Sequence, residues 1–438
     1  MSDEWRNWTR DQICKPVAIE HPESSQEIAH ALDRAAGNNW TVRVAGAGHS
    51  FTDTVLTDDL LLSLDRMDKV LDIDSSTGLV RVQAGATLRS LNEQLSRHDL
   101  ALENLGDIDV QSIAGATATG THGTGARYRN LSAAIQSLEL TLADGSRVEV
   151  NENSDSDAWR AARISLGALG VITTMTLRAV PAFTLRGVDE TRPLEEVFDS
   201  LDESIDSNDH FEFFTFPHSA LAITRTNNRV NDPPRPRARV MAWTNDVLLV
   251  NYVFGLVCRI GRRFPSTIPK LNRLVTRVSG SSVRVDRSDR IFASPRLVRF
   301  TEMEYAIPRV HAVEAVRAVR EVVERRRFHV PFPLEVRFVA PDDALLSPAQ
   351  GRDTCYIAVH MFERMEWEPY LRDVEGIMSA FAGRPHWGKR HFQTAEILRA
   401  RYSGWDRFAR VRARLDPEGR FANDYIQRVL GPVITARE

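Results

Sequence analysis

The sequence predicts an α+β protein with two domains, the second of them built on a mostly antiparallel sheet. Three observations lead to this fold class. The chain has 438 residues, which is too long for one ordinary domain. Residues 1–180 alternate strand patterns with helical patterns, and after Pro181 strand patterns rich in aromatic residues dominate. We therefore expect domains at 1–180 and 181–438, with the C-terminal part, about 385–438, packing back toward the first domain.

Local signals place the elements of the first domain in order. Ser24–Gly37 begins with serine caps, carries apolar residues on one face and ends at a glycine, so it predicts a capped helix. Thr87–His98 has leucines at helical spacing and predicts a second helix. Strand patterns cover residues 40–44, 60–64, 79–82, 135–142, 147–150 and 171–180, and the turn ADGS between the fourth and fifth of these indicates a hairpin.

Strand patterns in the second domain are interrupted by two clear helices, 311–326 and 368–381. The strands are expected at residues 211–216, 221–224, 298–305, 334–339 and 356–362. Asn231–Pro236, with the sequence NDPPRP, is typical of a surface loop.

Composition and charge exclude several classes of protein. Hydrophobic residues make up 42% and charged residues 26%, which is typical of a globular chain and excludes disorder, collagen and coiled coil. The net charge of −3 provides no global basic field for nucleic acid. Three distant cysteines predict neither a disulfide framework nor a zinc site, and we assign no metal ligands. No signal peptide is visible, and the longest apolar run, Val247–Val257, is too short for a transmembrane segment, so we expect a cytoplasmic protein.

Two segments of small residues are candidates for ligand binding. Gly46–Ser50 (GAGHS) follows a strand directly, and its glycines allow backbone N–H groups to turn toward an anion. A tight turn with a surface histidine explains the segment equally well. Gly115–Gly125 (GATATGTHGTG) contains no side chain that would form a core, and its N–H and hydroxyl donors suit a pyrophosphate and a ribityl chain. The alternative is a flexible linker.

Three further patterns are only weak evidence for a functional site when each is taken alone. Ser165–Thr173 (SLGALGVIT) is a common connection between a helix and a strand. Glu335 and Arg337 lie two residues apart in a strand and share a face, either as a solvent-facing pair or as part of a site. Lys389, in the segment HWGK, is one of only four lysines in a chain of 56 basic residues. Its compact ammonium suits a localised anion, although a surface cation remains the alternative.

Together and in this order, these segments resemble the sugar-lactone oxidase group of the vanillyl-alcohol-oxidase-type flavoproteins. That group includes gulonolactone and arabinonolactone oxidases, galactonolactone dehydrogenase and alditol oxidase. The resemblance covers nearly the whole chain and is closest to the actinobacterial gulonolactone oxidase/dehydrogenase branch. The segments that carry it are WRNWTRDQICKP, GAGHSFTD, LENLGDIDVQSIAGATATGTHGTG, SLGALGVIT, FTEMEYAIP, FPLEVRF, GRPHWGKRHF and FANDYIQRVLG.

The resemblance implies a two-part, PCMH-type FAD-binding domain followed by a cap domain with a large antiparallel sheet. It also implies that His49 carries the flavin covalently through the 8α-methyl group. The residues expected to bind FAD are Ala45, Gly46, Ala47, Gly48, His49, Ser50, Gly106, Ser112, Gly115, Ala116, Thr119, Gly120, His122, Gly123 and Ile172. Of these, His122 is carried over only as a contact.

The resemblance also assigns a substrate side. Glu335 and Arg337 match the pair at the bound sugar, and Lys389 matches the cation near the N1–C2=O edge of the flavin. Ser112 matches a hydroxyl close to the substrate, and His360 is a looser match for a substrate contact. We expect Glu335, Arg337, Lys389 and Ser112 to act in catalysis.

The implied activity is oxidation of a sugar-1,4-lactone of the L-gulono type, with a hydride passing from the carbinol carbon to flavin N5. The alternatives are an alditol oxidase acting on open-chain polyols and, from a different class, a flavin-binding protein without turnover. The electron acceptor is expected to be oxygen or a cytochrome- or quinone-type acceptor. If the enzyme supplies a respiratory chain, peripheral association with a membrane is expected as well.

Overall fold

The first part of the chain forms a small parallel sheet beside a helix. The computed structural model describes residues 4–238, 244, 248 and 251–434. Its first elements are β1 (Trp5–Arg6), β2 (Ile13–Cys14), β3 (Ala18–Glu20), α1 (Ser25–Gly37), β4 (Val42–Ala45) and β5 (Leu60–Ser63). β1 and β2 form a hairpin, and β3, β5 and β4 form a three-stranded parallel sheet in that order. β4 leads directly into the GAGHS segment.

Helix α1 confirms the prediction made from its sequence signals. Ser24 is the N-cap, and its hydroxyl accepts a hydrogen bond from the backbone N–H of Glu27 at 3.3 Å. The helix buries Ile28, Leu32 and Ala35 against the parallel sheet and its surroundings. Local capping and spacing therefore determine the position of α1.

A second, five-stranded antiparallel sheet completes the first half of the chain. Its strand order is β10-β9-β11-β7-β6. The elements of this region are β6 (Val70–Asp74), β7 (Leu79–Gln83), α2 (Leu88–Arg97), β8 (Leu100–Ala101), α3 (Ile113–Ala118), a 3₁₀ turn (Leu131–Ala134), β9 (Ile135–Thr141), β10 (Arg147–Asn151), α4 (Ser156–Ala162), β11 (Val171–Arg178) and β12 (Val180–Pro181). The hairpin expected around the ADGS turn is β9–β10. Helix α3 lies in the glycine- and threonine-rich segment, where no helix was predicted.

The second half of the chain is organised around one eight-stranded antiparallel sheet, ordered β16-β13-β15-β14-β18-β19-β17-β20. The strands are β13 (Thr184–Pro193), β14 (His210–Thr215), β15 (Leu221–Val230), β16 (Ser282–Arg287), β17 (Phe300–Pro308), β18 (Leu334–Val339), β19 (Thr354–Phe362) and β20 (Arg384–Pro385). The helices of this half are α5 (Leu194–Asp199), α6 (Leu201–Ser207), α7 (Phe254–Arg263), α8 (Ile268–Val278), α9 (Ser288–Phe292), α10 (Ala312–Arg326) and α11 (Glu368–Ala380), with 3₁₀ turns at Pro265–Thr267 and Arg309–His311.

The two faces of the eight-stranded sheet differ in chemistry. One face presents Leu334, Val336 and Phe338 of β18, with neighbours from the other strands, to a core shared with α10 and α11. The alternate residues of the same strand, Glu335 and Arg337, point to the opposite face and are also buried. Because both faces of the sheet are buried, each face must pack against another part of the protein.

The C-terminal tail returns to the first half of the molecule. Its helices are α12 (Ala395–Arg399), α13 (Trp405–Leu415) and α14 (Asp424–Leu430). Their buried side chains, with Phe421 between them, belong to the same hydrophobic core as α1 and the five-stranded sheet. Arg43 of β4 donates to the backbone carbonyl of Phe421 at 2.5 Å. These contacts pack the tail on the first half of the chain, and the division at residue 180 remains our proposal.

Across the residues that the structure describes, no helix combines the length and the apolar character that crossing a bilayer requires. The apolar run Val247–Val257 lies partly outside the described residues.

Candidate active site

The two segments of small residues meet along one cleft. Gly46–Ser50 leaves the end of β4, and Ser112 is the N-cap residue of α3. A side chain at Gly46 would overlap the Ser112 hydroxyl, so the two segments can approach this closely only with glycine there. The cleft has about 910 Å³ of empty space, part of it open to solvent. The predicted cofactor residues that line it are Ala45, Gly46, Ala47, Gly48, His49, Ser50, Ser112, Gly115, Thr119 and Ile172.

The N-terminal segment holds the GAGHS turn in place. The backbone N–H of Trp8 donates to the carbonyl of Gly48 at 2.8 Å, and the Asn7 side chain donates to the carbonyl of Ser50 at 3.1 Å. Gly48 has a φ of 70°, which a glycine adopts without strain. The ring of Trp8 stacks on His49 with centroids 5.4 Å apart. Trp8 and Asn7 therefore fix the direction of the His49 imidazole.

The electrostatics of His49 favour the neutral imidazole. Burial, together with the positive charge of Lys389, lowers the pKa of His49 to about 4. At neutral pH the ring therefore carries a nitrogen lone pair. This is the form that could add to an electrophilic methyl group.

Several residues expected to bind the cofactor lie away from the cleft lining: Gly106, Ala116, Gly120, His122 and Gly123. Ala116 is fully buried in the first core, and Gly120 forms a turn with a φ of 78°. A side chain at Gly123 would overlap Asn104 and the Leu105 carbonyl, whereas one at Gly106 would lie 3.2 Å from the His122 carbonyl. These residues shape the loop behind the cleft, and His122 turns toward the cap sheet.

Charged side chains cross the buried polar face of the cap sheet from strand to strand. Asp189 of β13 pairs with Arg225 of β15 at 2.7 Å, and Arg225 pairs with Glu212 of β14 at 3.2 Å. Glu212 accepts in turn from Nε of Arg337 at 2.8 Å, and Arg337 contacts Glu335 on its own strand. The backbone register pairs Glu212 with Arg337 directly. Strand register therefore produces a continuous chain of alternating charge that ends at Glu335.

Arg337 is shared among three carboxylates, which changes the ionisation expected for Glu335. An arginine beside a single carboxylate would hold that carboxylate in its ionised form. In the structure, Arg337 also contacts Glu212 and, at 3.7 Å, Asp107. Burial raises the pKa of Glu335, Arg337 opposes this, and the negative charges of Asp107 and Glu212 add to it, so that the pKa reaches about 7. Glu335 is therefore a carboxyl group that can exchange a proton near neutral pH.

Asp107 is a residue of the first domain that contacts this cluster of charged side chains. It lies on the loop before α3 and accepts from Arg296 at 2.5 Å. Although burial works against its charged form, Arg296 and Arg337 hold the pKa of Asp107 well below its usual range. Asp107 thus provides a fixed negative charge beside the Glu335–Arg337 pair.

Lys389 lies at the other end of the polar face. Its ammonium group contacts Glu302 of β17 and lies 5.1 Å above the Phe51 ring. Burial would lower the pKa of Lys389, but Glu302 and Glu304 outweigh it and raise that pKa. His360 lies 3.5 Å from the other oxygen of Glu302. Burial again acts against the charged form, and Glu302 raises the pKa of His360 above its ordinary value. Glu302 therefore stabilises two buried cations.

A third buried group combines His122, Glu304 and His386, whose potential ligand atoms all lie within 4.8 Å of one another. His386 Nδ1 accepts the backbone N–H of Gly388 at 3.1 Å, and burial lowers the pKa of His386 to about 3. The neutral ring therefore carries its proton on Nε2, and its lone pair on Nδ1 accepts the backbone N–H of Gly388. We interpret the group as a hydrogen-bonded cluster, with His122 Nε2 at 3.4 Å from Glu304.

The HWGK segment joins the cap side to the cleft. The carbonyl of Gly388 accepts the backbone N–H of Phe51 at 2.7 Å. A side chain at Gly388 would touch both Ser50 and Thr119, one from each segment of small residues. The structure thus brings the two glycine-rich segments and Lys389 together, with Glu302 and His360 adjacent to Lys389.

The arrangement fits an FAD molecule. The glycines of the cleft allow a ligand to approach the backbone closely. The cleft also offers the hydroxyl groups of Ser50, Ser112 and Thr119 and the neutral imidazole of His49. The charged face of the cap sheet supplies cations and a titratable carboxyl group. These are the kinds of group that hold a phosphate-containing cofactor and position a polar substrate.

Sequence reasoning missed Asp107, Glu212, Glu302 and Glu304. Three of them were visible as acidic residues in otherwise apolar strand patterns, in FEFFTF and FTEMEYAIP. An acidic residue at an alternate position of such a strand must lie on a second, polar face, since the first face is core. Asp107 carried no comparable signal.

Comparisons with known proteins show which families the chain matches. Residues 16–151 match the sequence family described as an FAD binding domain, and residues 175–429 match the family described as D-arabinono-1,4-lactone oxidase. The chain is 53% identical to L-gulono-1,4-lactone dehydrogenase of Mycobacterium tuberculosis, over 99% of this chain and 100% of that protein. It is 33% identical to L-gulonolactone oxidase of Bos taurus, over 97% and 98% of the two chains. The crystal structure of cholesterol oxidase from Brevibacterium sterolicum shares the fold, with a TM-score of 0.83 over 98% of this chain and 96% of that one at 18% identity.

Proposed function

Because the chain belongs to the D-arabinono-1,4-lactone oxidase family of FAD-binding oxidoreductases, we propose that it oxidises a sugar-1,4-lactone of the L-gulono type. The reacting group is the secondary alcohol next to the lactone carbonyl. The observation that carries the proposal is the buried polar face of the cap sheet, where Glu335, Arg337 and Lys389 lie among further charged groups. FAD, when bound, supplies the two-electron acceptor for this alcohol.

Glu335 is the proposed general base. Its pKa of about 7 leaves a substantial fraction deprotonated at neutral pH, so its carboxylate can take the proton of the substrate hydroxyl. Arg337 is held between Glu335 and Glu212, and its remaining N–H groups can donate to sugar oxygens. We propose that the pair binds and orients the carbinol.

Lys389 is the proposed electrostatic group. Glu302 keeps it charged and fixed within a buried environment, where a positive charge stabilises developing negative charge more strongly than it does in water. His360, also held by Glu302, can donate a hydrogen bond to a substrate oxygen. The Ser112 hydroxyl lies on the cleft and is proposed to contact the substrate side of the bound cofactor.

His49 is the proposed point of covalent attachment of FAD. Its support is the neutral imidazole, the position in the cleft lining and the fixed ring orientation against Trp8. The residues in the cleft lining, from Ala45 to Ile172, are proposed to hold the pyrophosphate and adenosine side.

We propose that the electrons pass to an acceptor other than oxygen. The support is the relative at 53% identity, which is named as a dehydrogenase. Cytochrome- or quinone-type acceptors are the alternatives to oxygen that the family resemblance implies. The cytoplasm remains the proposed compartment.

Anaerobic mixing of the holoenzyme with L-gulono-, L-galactono- and D-arabinono-1,4-lactone and with xylitol tests the function. We expect gulonolactone to bleach the visible flavin absorbance, and we expect Glu335→Gln to retain FAD but bleach slowly. Bleaching by xylitol alone would establish a polyol oxidase instead. A flavin that none of these compounds reduces would indicate a binding protein without turnover. Mixing the reduced enzyme with oxygen or with cytochrome c then identifies the acceptor.

A further inference from the structure

Arg43 is a buried arginine in the wall of the cleft between the two segments of small residues. It lies on β4, just before the GAGHS segment, and only 2% of it is exposed. Among the described residues that line the cleft, Arg43 carries the only charged side chain, since the imidazole of His49 is neutral. A buried charge is costly unless an opposite charge compensates it.

The guanidinium of Arg43 donates all of its hydrogen bonds to neutral oxygens. Nε donates to the carbonyl of Thr54 at 2.8 Å, and Nη2 donates to the hydroxyl of the same residue at 3.4 Å. The other contacts are the carbonyls of Leu166 at 2.8 Å, Gly167 at 3.3 Å and Phe421 at 2.5 Å. Among the described residues, no carboxylate forms an ion pair with Arg43. The group is therefore fully hydrogen-bonded, but these contacts leave its positive charge uncompensated.

The charged residues around Arg43 do not neutralise it. Burial lowers the pKa of Arg43 to about 10, and the positive charge of Arg412 acts in the same direction. Asp416 acts in the opposite direction, but more weakly than Arg412. The carboxylate of Asp416 instead accepts the backbone N–H groups of Arg420 at 2.8 Å and Phe421 at 3.1 Å. At neutral pH the Arg43 side chain therefore stays protonated, and its charge is left for a ligand.

The contacts of Arg43 also determine what this part of the cleft wall presents to a ligand. Leu166 and Gly167 line the cleft with φ values of 57° and 68°, in the left-handed region. That conformation is unfavourable for leucine, so other contacts must stabilise it. Arg43 supplies such contacts at the carbonyl oxygens of both residues. Because these oxygens are bonded to the guanidinium, their partial negative charge is compensated and does not repel an anion in the cleft.

We propose that Arg43 is the counter-charge of the FAD diphosphate. The diphosphate is the only charged part of FAD at neutral pH, and Arg43 is the charged side chain of the cleft. Since its N–H groups are bonded to the protein, Arg43 acts through its electric field, which is strong in a buried environment. The direct hydrogen bonds to the phosphates are left to backbone N–H groups of the glycine-rich segments. The proposal rests on FAD binding and is independent of the substrate that the enzyme oxidises.

Binding of flavins to the full chain tests the proposal. The His49→Ala background keeps FAD exchangeable, and quenching of flavin fluorescence gives the dissociation constants of FAD and of riboflavin, which lacks phosphate. Arg43→Gln should reduce the preference for FAD over riboflavin on the order of 100-fold, because only FAD loses the attraction between charges. Arg43→Lys, which keeps the charge but has fewer donors, should retain most of that preference.

Arg384 provides a matched control. Its guanidinium is also buried and also donates to backbone carbonyls, those of Arg401 at 2.8 Å, Pro348 at 3.2 Å and Gln350 at 2.8 Å. It does not belong to the cleft lining. Arg384→Gln should therefore leave the preference for FAD over riboflavin unchanged, whatever it does to stability. Circular dichroism establishes that each variant is folded.

A measurement without a substitution at Arg43 decides the matter if the Arg43 variants do not fold. Inorganic pyrophosphate should raise the Tm of the FAD-free His49→Ala chain and should compete with FAD, because it supplies the missing negative charge. A chain that pyrophosphate neither stabilises nor protects from FAD would overturn the proposal. So would an equal loss of FAD and riboflavin binding in Arg43→Gln that Arg43→Lys does not restore, since Arg43 would then only hold the carbonyls of the cleft wall.

Discussion

Replacing Glu212 by Gln should change the pH dependence of the reaction, although we assign Glu212 no contact with substrate. Burial is the main reason why the pKa of Glu335 is raised to about 7, and Glu212 is one of two carboxylates whose negative charge adds to this effect. Its carboxylate also accepts a hydrogen bond from Nε of Arg337 at 2.8 Å. Glu212→Gln removes the like charge and leaves Arg337 more fully available to Glu335. Both changes stabilise the ionised form of Glu335 and lower its pKa.

The size of the shift follows from how Glu212 is neutralised. A neighbouring charge within ~4–6 Å of a carboxyl group, such as an arginine, moves its pKa by about 1–3, and a like charge acts in the opposite direction. Arg225 and Arg337 already compensate the negative charge of Glu212, at distances of 3.2 Å and 2.8 Å. The effect of Glu212 on the pKa of Glu335 should therefore lie at the lower end of this range. We therefore expect a downward shift of about one unit, equivalent to about 1.4 kcal/mol.

The pH profile of kcat/KM for gulonolactone measures this shift, because it reports ionisations of the free enzyme. The base must be deprotonated, so the parent's rate should rise with pH through about 7 and fall away below it. The midpoint of the variant's pH profile should lie about one pH unit lower. This holds even if Arg337 moves in the variant and the maximal kcat/KM is reduced. Glu190→Gln, an exposed position on β13, serves as the control and should leave the midpoint unchanged. An unchanged or raised midpoint in Glu212→Gln would refute the assignment of Glu335.

Three further predictions test the other parts of the site. Acid precipitation of the parent should give a yellow pellet and that of His49→Ala a colourless one; release of all colour from the parent would exclude the covalent link. Glu302→Gln should slow flavin reduction by on the order of 10²-fold. The rate should also begin to fall at a lower alkaline pH than in the parent, because Lys389 loses the carboxylate that raises its pKa. An unchanged alkaline midpoint would show that Glu302 does not hold Lys389. A fragment ending at Val180 should neither fold stably nor turn over lactone, because it lacks the tail that completes the first core; turnover by that fragment would contradict the domain assignment.

Local signals predicted the elements better than they predicted the site. The N-cap Ser24 and the spacing of Ile28, Leu32 and Ala35 gave α1 to within a residue, since those interactions lie within the helix itself. Helix α3 was not anticipated, because glycine, alanine and threonine in series carry no apolar stripe to signal it.

The site depended on contacts that connect distant segments. Alternation along β18 was enough to place Glu335 and Arg337 on one face. That Glu212 stands opposite Arg337 depends on the pairing of β14 with β18, which are separated by more than a hundred residues. Likewise, Asp107 reaches Arg337 only because the first domain packs on the cap sheet. Strand order and domain packing have no local signature, so the sequence named the proposed base without its neighbours.

Stopped-flow reduction of the flavin by gulonolactone under anaerobic conditions, in the parent and in Lys389→Met, tests the central claim most directly. Loss of one preorganised charge in a buried site costs about 10²–10³-fold in rate. We predict a decrease of that size with FAD still bound, and poor rescue by Lys389→Arg, whose guanidinium is larger and spreads its charge. Reduction of the Met variant at close to the parent rate would show that Lys389 contributes nothing to the chemistry and would contradict the proposed active site.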